Sequence, residues 1–144
     1  MALNPTVLIT GGSSGIGYTI SRHFAADGYR ILWVSLLEQE LREAREKLQS
    51  EYPDCEVQLL TQDLSEENGA QIVYDWCKAH QYQVDVLINN AGFGTFGFLQ
   101  DISEERELAM IQLNVLNLYK MCRRFLPDML QRNAGTIINI SSNS

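Results

Sequence analysis

Proline, cysteine and basic residues are all scarce in this chain of 144 residues. It has three prolines and three cysteines, and 11 Lys and Arg residues stand against 18 Asp and Glu residues, for a formal net charge of −7. The widely spaced, odd set of Cys55, Cys77 and Cys122 builds neither a disulfide framework nor a C-x-x-C metal site, which favours a reducing compartment. The acidic excess repels phosphate backbones and anionic lipid, so we expect no nucleic-acid and no membrane partner.

Long apolar runs, internal repeats and flexible linkers are missing as well. No apolar run reaches the roughly 20 residues that a membrane span needs, and "MALNPTVLIT" lacks the charged and apolar regions of a signal peptide. We therefore expect a cytoplasmic protein. His23 and His80 have no second ligand at metal spacing, so no metal site is predicted. An apolar content of 45% and a charged content of 20% are typical of a globular domain with a hydrophobic core.

Short apolar strands alternate with helical patterns along the whole chain. Five runs have strand character: "TVLIT", "YRILWVS", "CEVQLLT", "VDVLINN" and "GTIINIS". Strands that are apolar on both faces indicate a parallel sheet with helices on each side, and right-handed crossovers make that sheet doubly wound. We therefore predict an α/β fold, a doubly wound parallel sheet whose ligand binds at the carboxyl ends of the strands.

Three residues are predicted to shape the helices. Ser65 is expected to cap the third helix, because acidic residues follow it in the first turn. Ser103 is expected to begin a long fourth helix for the same reason. Pro127 is expected to kink that long helix near its end.

A glycine-rich turn, "TGGSSGIG", joins the first strand directly to a helix. Small residues let a backbone approach a pyrophosphate and let helix N–H groups point at it. Gly11 permits the tight turn, Gly15 the close approach, and Gly17 the packing of helix on strand. Ser13 and Ser14 add hydroxyl donors. The spacing fits neither G-x-G-x-x-G nor the P-loop, and taken alone the turn is either a phosphate site or simply a tight turn.

Four further motifs follow the turn in order. "QDLS" ends the third strand, "NNAG" closes the fourth, "MIQLNVLNLY" puts Asn114 inside the long helix, and "INISS" ends the fifth strand. Together with T-G-x-x-x-G-x-G, they resemble the short-chain dehydrogenase/reductase family over the whole chain. The resemblance implies an NAD(P)-binding Rossmann-like domain over residues 1–144. It also implies an NAD(P)-dependent oxidoreductase that moves hydride between a nicotinamide cofactor and a carbonyl or secondary alcohol.

The same resemblance implies which residues bind the cofactor. In the family, the glycine turn holds the phosphates, the third strand ends against the adenine, and "NNAG" lines the cleft. The implied cofactor-binding residues are Thr10, Gly11, Ser13, Ser14, Gly15, Ile16, Gly17, Ser35, Asp63, Leu64, Asn90, Ala91 and Gly92.

The choice between NAD and NADP is usually set just after the second strand, at Ser35 and Leu36 in this chain. There an acid binds the ribose hydroxyls of NAD, and a nearby base accepts the extra phosphate of NADP. Since no acid ends the strand, we predict NADP. Neither Leu36 nor Ser14 is the basic residue that many NADP users have, so NAD stays open. Arg42 either reaches back to the phosphate or pairs along its own helix.

The implied catalytic residues are Asn114 and Ser142. In the family's chemistry, a serine after the fifth strand hydrogen-bonds the reacting oxygen, and an asparagine holds a water of a proton relay. A tyrosine and a lysine on the next helix complete the set, but the sequence ends two residues after Ser142. "YDWCK", from Tyr74 to Lys78, has their spacing but precedes the fourth strand, and we place it on the surface of an outer helix. We expect the domain to be truncated after the fifth strand and the chain alone to be inactive.

Alternatives stay open on several points. A non-catalytic dinucleotide-binding or interaction module is the second hypothesis, because the Tyr-Lys pair is missing. Two roles are open for the aromatic side chains of Phe93, Phe96 and Phe98. They either form an apolar wall against a small-molecule carbonyl or alcohol substrate, or pack within their own loop. Apolar residues of the long helix face either the core or a partner subunit, since the resemblance implies a homodimer or homotetramer in the full-length form. The identity of the substrate and the direction of the reaction do not follow from the sequence.

Overall fold

A computed structural model describes residues 3–142 and shows five strands, with one α-helix between successive strands up to β4 and two between β4 and β5. The strands are β1 (Thr6–Thr10), β2 (Arg30–Ser35), β3 (Val57–Thr61), β4 (Val86–Asn89) and β5 (Thr136–Asn139). The helices are α1 (Gly15–Ala26), α2 (Glu38–Glu51), α3 (Gly69–Ala79), α4 (Glu104–Ile111) and α5 (Leu118–Arg132). A π-helical segment, Gln112–Asn117, joins α4 to α5, and a short 3₁₀ turn, Leu99–Asp101, precedes α4.

The five strands form one parallel sheet in the order β3-β2-β1-β4-β5. The chain first moves outward from β1 to β3 and then returns to the other side of β1 with β4. This is the doubly wound, Rossmann-like sheet that the sequence predicts. The order reverses between β1 and β4, so a crevice opens beyond their carboxyl ends, at Thr10 and Asn89.

Apolar side chains fill a core on each face of the sheet. Leu8 and Leu87 face one side, where Val73 of α3 and Phe125 of α5 cover them. On the other side, Trp33 is fully buried among residues of β1, β2 and α2. Every residue of β1 is buried, as expected for the central strand of a sheet with helices on both faces. Among residues 3–142, no helix is both long and apolar enough to cross a membrane.

The start of the third helix differs from the prediction. Ser65 does not cap it, because α3 begins only at Gly69. The backbone N–H and the hydroxyl of Ser65 donate instead to the carboxylate of Asp63, over 2.8 and 2.6 Å. These bonds hold residues 63–65 in a turn that competes with helix formation.

The predicted long fourth helix begins as expected and runs without a break to Arg132, but its middle part is π-helical. Ser103 caps α4 and accepts a hydrogen bond from the N–H of Arg106. The π-helical segment then changes the helical geometry well before Pro127. Pro127 itself lies inside α5, which continues to Arg132.

Candidate functional site

A cleft of about 690 Å³ opens at the reversal of strand order. Loops that follow β1, β2, β3 and β4 contribute to its walls, together with α4 and the start of the π-helical segment. The predicted cofactor residues that line it are Gly11, Ser14, Ser35, Asp63, Leu64, Asn90, Ala91 and Gly92. Most of the predicted set therefore meets around one cavity, although its members lie up to 81 residues apart in the chain.

Thr10, at the end of β1, joins the glycine turn to the loop after β4 through hydrogen bonds. Its side chain is buried, and its hydroxyl oxygen accepts hydrogen bonds of 3.0 Å from the N–H groups of Asn90 and Ala91. In return, the amide nitrogen of Asn90 donates to the carbonyl oxygens of Thr10 and Gly11, over 3.1 Å each. Thr10 thus positions the cleft rather than lining it.

The glycine turn depends on backbone room at three positions. Gly11 has φ +64°, in the left-handed region that favours glycine. A Cβ at Gly17 would lie 2.4 Å from the carbonyl oxygen of Gly11, so helix α1 packs directly on the turn. A Cβ at Gly12 would lie 2.2 Å from Cδ1 of Trp33. Gly12 was not among the predicted site residues; a second glycine in the turn, followed by a bulky side chain in the next strand, was the available signal.

The N-terminus of α1 points its first backbone N–H groups toward this turn. Ser14 stands at the N-cap position, but its side chain makes no capping hydrogen bond. Because the first N–H groups of a helix have no intrahelical partner, they suit an anion such as a pyrophosphate. Ser14 also lines the cleft, so the helix terminus and the cavity adjoin.

The remaining members of the predicted turn lie outside the cleft lining. Ser13 is 7% exposed, and its hydroxyl donates 2.6 Å to a carboxylate oxygen of Glu40 and lies 3.4 Å from the hydroxyl of Ser35. Gly15 lines a shallow depression beside the cleft, with Ser13 and Glu40. Ile16 is 63% exposed and lines neither cavity. Glu40 was not among the predicted residues, because the prediction for the ribose end rested on the glycine turn, the end of β2 and Arg42.

One end of the cleft is largely apolar. Leu64 is buried beside Asp63, and apolar side chains from β2, the loop after it, α4 and the π-helical segment complete the wall, namely Val34, Leu36, Ala109 and Leu113. At its rim, the guanidinium of Arg106 lies 5.3 Å from the ring centre of Phe93. A flat aromatic ligand such as adenine fits a wall of this composition.

Asn114 binds the loop that follows β4. Its amide nitrogen donates 2.8 Å to the carbonyl oxygen of Phe93, and its oxygen accepts 3.1 Å from the N–H of Phe93. A Cβ at Gly92 would lie 2.9 Å from that same oxygen, so the glycine allows this close approach. Both polar ends of the Asn114 side chain are engaged with backbone. Its predicted part in a proton relay stays a prediction.

Ser142 lies beyond the end of β5, on the same edge of the sheet as the cleft, and is exposed. The strand before it is anchored to β4, since the N–H of Ile140 donates 3.0 Å to the carbonyl of Asn89. The side chains of Asn89 and Asn139 also bond, over 2.9 Å. Ser142 does not line the cleft, and its predicted catalytic role stays a prediction.

The aromatic side chains after "NNAG" divide into two groups. Phe93 is half-buried under Arg106 and lines the cleft. Phe96 and Phe98 are 94% and 74% exposed and do not line it. Among residues 3–142, the Phe96 and Phe98 side chains therefore neither pack within their own loop nor line the cleft.

Of the Tyr-x-x-x-Lys pair in α3, only the lysine lies on the surface as predicted. Lys78 is exposed, as expected, but Tyr74 is half-buried and packs edge-on against Phe125 of α5. The Tyr74 hydroxyl donates 3.1 Å to Asp128, and the Lys78 ammonium lies 2.7 Å from the same carboxylate. The contact with α5 explains the partial burial, and this pair lies away from the cleft.

Comparison with known proteins gives consistent matches over almost the whole chain. The short chain dehydrogenase family matches residues 5–144. A 3-oxoacyl-[acyl-carrier-protein] reductase of Chlamydia trachomatis is 31% identical over 143 residues, covering 99% of this chain and 57% of that protein. The chain thus spans little more than half the length of such curated relatives.

Solved structures of similar sequence superpose closely. A short-chain dehydrogenase from Sphingobium yanoikuyae, in complex with NADPH, has a TM-score of 0.87 and 32% identity, over 96% of this chain and 54% of its own. L-Sorbose reductase from Gluconobacter frateurii, complexed with NADPH and L-sorbose, has a TM-score of 0.87 and 28% identity, over 97% of this chain and 53% of its own.

Proposed function

Because this chain belongs to the short-chain dehydrogenase family, we propose that it is the cofactor-binding part of an NAD(P)-dependent oxidoreductase acting on a carbonyl or secondary alcohol. The observation that carries the proposal is the cleft of about 690 Å³ in which the glycine turn, the end of β3 and the "NNAG" loop meet. Relatives that are oxidoreductases, and neighbours that hold NADPH, support it.

The residues present fit a nicotinamide dinucleotide. The uncapped N-terminus of α1, next to Gly11 and Ser14, suits the pyrophosphate. The apolar wall at Leu36 and Leu64 suits the adenine, and Ser35 at the end of β2 suits the ribose. The bound nicotinamide would supply or accept the hydride at the substrate carbon.

The proposed chemistry needs a donor to the oxygen on which charge develops. Ser142, at the carboxyl end of β5, is the proposed hydrogen-bond donor to that oxygen. Asn114 keeps its proposed place at the proton relay, and its bonds to Phe93 hold the loop between β4 and α4 in position. Since the relatives are nearly twice as long as this chain, the activity is proposed for a protein of their length, with the tyrosine and lysine supplied by the remaining part.

NADP is the proposed form of the cofactor, in line with the sequence prediction and with the NADPH-bound neighbours. NAD is the second choice, and it is favoured by one acidic side chain, that of Glu40, which accepts a hydrogen bond from Ser13 close to the end of β2. The proposed substrate is a small-molecule carbonyl or alcohol, and the proposed location is the cytoplasm. We also propose a homodimer or homotetramer, since Leu108, Ile111 and Tyr119 of the α4–α5 region are exposed.

Two measurements on the full-length protein test the proposal. Titration with NADPH and NADH, followed by cofactor fluorescence, is expected to show binding of at least one, and a panel of carbonyl compounds is expected to include a substrate. Asn114→Ala should lower turnover by a larger factor than it lowers cofactor affinity. Asn68→Ala, at an exposed position without a side-chain capping bond, is the matched control and should change neither.

The outcomes separate the two hypotheses of the sequence analysis. Absence of binding of either cofactor would refute the proposal. Tight cofactor binding without turnover of any carbonyl or alcohol would favour a non-catalytic dinucleotide-binding module instead.

A further inference from the structure

We propose that Glu40 is a specificity-determining residue of the cofactor cleft, which lowers the affinity for a dinucleotide phosphorylated on its adenosine ribose relative to the unphosphorylated form. The inference rests on the proposed function and deepens it, because it names the residue by which this chain distinguishes NADP(H) from NAD(H).

The position of the Glu40 carboxylate carries the argument. Glu40 lies in the first turn of α2 and is half-buried. One of its oxygens accepts a hydrogen bond of 2.6 Å from the hydroxyl of Ser13, which lies 3.4 Å from the hydroxyl of Ser35. Ser35 ends β2, where the ribose hydroxyls of a dinucleotide bind in this kind of sheet. The carboxylate therefore lies beside the ribose end of the cleft, in the adjoining depression, although no acid ends the strand itself.

No cation among the described residues neutralises this carboxylate. Arg42, one candidate for binding a phosphate, donates its hydrogen bonds to Glu38 on the same helix. Lys47 lines the same depression as Glu40 and Glu43, but its ammonium lies 5.1 Å from the ring centre of Tyr18. None of the ion pairs in residues 3–142 includes Glu40. Glu40 thus contributes a negative charge next to Ser13 and Ser35 that no ion pair compensates.

Hydrogen bonding acts in the same direction as charge. A ribose 2′-hydroxyl can donate to the Glu40 carboxylate, whereas a 2′-phosphate offers only acceptors at neutral pH. A phosphate would also compete with Glu40 for the single proton of the Ser13 hydroxyl. It carries about −1.5 to −2 charges, and repulsion from a carboxylate a few ångströms away, in partly solvated surroundings, weakens binding on the order of tenfold.

Substitution of Glu40 by Gln tests the inference directly. Gln keeps the size of the side chain and an oxygen that accepts from Ser13, so the turn keeps its support. Dissociation constants of NADPH and NADH are measured on the full-length protein at low ionic strength. For Glu40→Gln, the NADPH affinity should rise on the order of tenfold, and the NADH affinity should change by no more than about twofold. Glu40→Lys should enlarge the shift toward NADPH.

A control on the same helix isolates the position of the charge. Glu46→Gln removes one negative charge from α2 at an exposed site away from the cleft lining, so it should leave the ratio of NADPH to NADH affinity unchanged. Addition of salt should shrink the difference between the wild type and Glu40→Gln for NADPH, since mobile ions screen the repulsion.

The results distinguish failure of this inference from failure of the proposed function. If the wild type and every variant bind neither cofactor, the proposed function fails and this inference with it. If both cofactors bind but Glu40→Gln moves the affinity ratio no more than Glu46→Gln does, the proposed function stands and the role of Glu40 is refuted. An equal rise in both affinities would refute it as well.

Discussion

The indole nitrogen of Trp33 donates a hydrogen bond of 2.8 Å to the hydroxyl of Ser21. Both side chains are fully buried, and the Ser21 hydroxyl donates in turn to the carbonyl of Gly17 over 2.7 Å. The same indole lies directly under Gly12. Strand β2, helix α1 and the glycine turn are therefore held by one buried set of contacts around a single tryptophan.

Ser21→Ala should destabilise the protein by about 1–3 kcal/mol, because it leaves a buried indole N–H without an acceptor. Urea unfolding followed by tryptophan fluorescence measures the loss. Thr19→Ala is the control, since the Thr19 hydroxyl makes the same kind of bond to a carbonyl one turn earlier, but at an exposed site. Equal stability of the two variants would contradict the role given to the Trp33–Ser21 bond.

Gly12→Ala should destabilise the protein by about 1–3 kcal/mol or more through overpacking, since its Cβ would overlap the Trp33 ring. Cofactor binding should weaken with it, because the turn has to move to make room. Gly94→Ala provides the comparison: nothing lies within 4 Å of a Cβ at that position, so its unfolding free energy should stay close to that of the wild type. If Gly12→Ala and Gly94→Ala lowered the free energy of unfolding equally in chemical denaturation, the Trp33 ring would be able to move aside without cost, contrary to this prediction.

The Asp128 carboxylate on α5 bonds Tyr74 and Lys78 on α3, so the free energy of unfolding should depend on pH through this contact. The hydrogen bond from Lys78, and then that from Tyr74, lower the pKa of the Asp128 carboxyl below its ordinary value of 3.8. A lowered pKa in the folded state means that the stabilisation is present above pH 3.8 and is lost as pH falls below it. The same hydrogen bond raises the pKa of Lys78 above 10.5, so the contribution of Lys78 is present below pH 10.5 and is lost at higher pH.

Asp128→Asn should therefore lower stability at pH 7, by no more than about 1 kcal/mol because the pair is partly exposed. The difference from the wild type should close as pH falls below 3.8. Urea unfolding at a series of pH values measures it. Asp75→Asn on α3 is the comparison: among residues 3–142 its carboxylate bonds a neutral glutamine and forms no ion pair, so this substitution should cost less stability at pH 7. A gap of constant size from pH 7 to pH 3 would argue against a charge effect.

Burial raises the pKa of the Cys77 thiol to about 12, so almost no thiolate exists at pH 8. Cys77 is also 2% exposed. We expect it to react with a thiol reagent such as DTNB only after unfolding. The Cys77→Ala variant should titrate the same number of fast thiols as the wild type under native conditions and one fewer in urea. Loss of a fast thiol in native Cys77→Ala would contradict the burial.

The sequence predicts the sheet and much of the cleft because both depend on local pattern. Apolar runs with turn residues between them identify all five strands, and the glycine spacing locates the turn at Gly11. What the sequence could not show are contacts made by residues far apart in the chain. The bond from Ser13 to Glu40 depends on how α2 returns to the turn, and the role of Gly12 depends on the neighbouring Trp33. The predicted start of α3 at Ser65 was wrong, because the N–H and hydroxyl of Ser65 donate their hydrogen bonds to the Asp63 carboxylate instead of capping the helix.

Synthesis from the ribosome delivers the central strand of this sheet first and its partner β4 much later. When β1 emerges, the strand that pairs with it on one side, β4, has not yet been made. The hydrogen bond from the N–H of Thr6 to the carboxylate of Asp85 can form only after β4 is reached. The glycine turn also lacks its support from Asn90 until that point. A nascent chain that ends before Asn90 therefore lacks part of the ligand cleft, and the binding surface is completed only after β4 has been made.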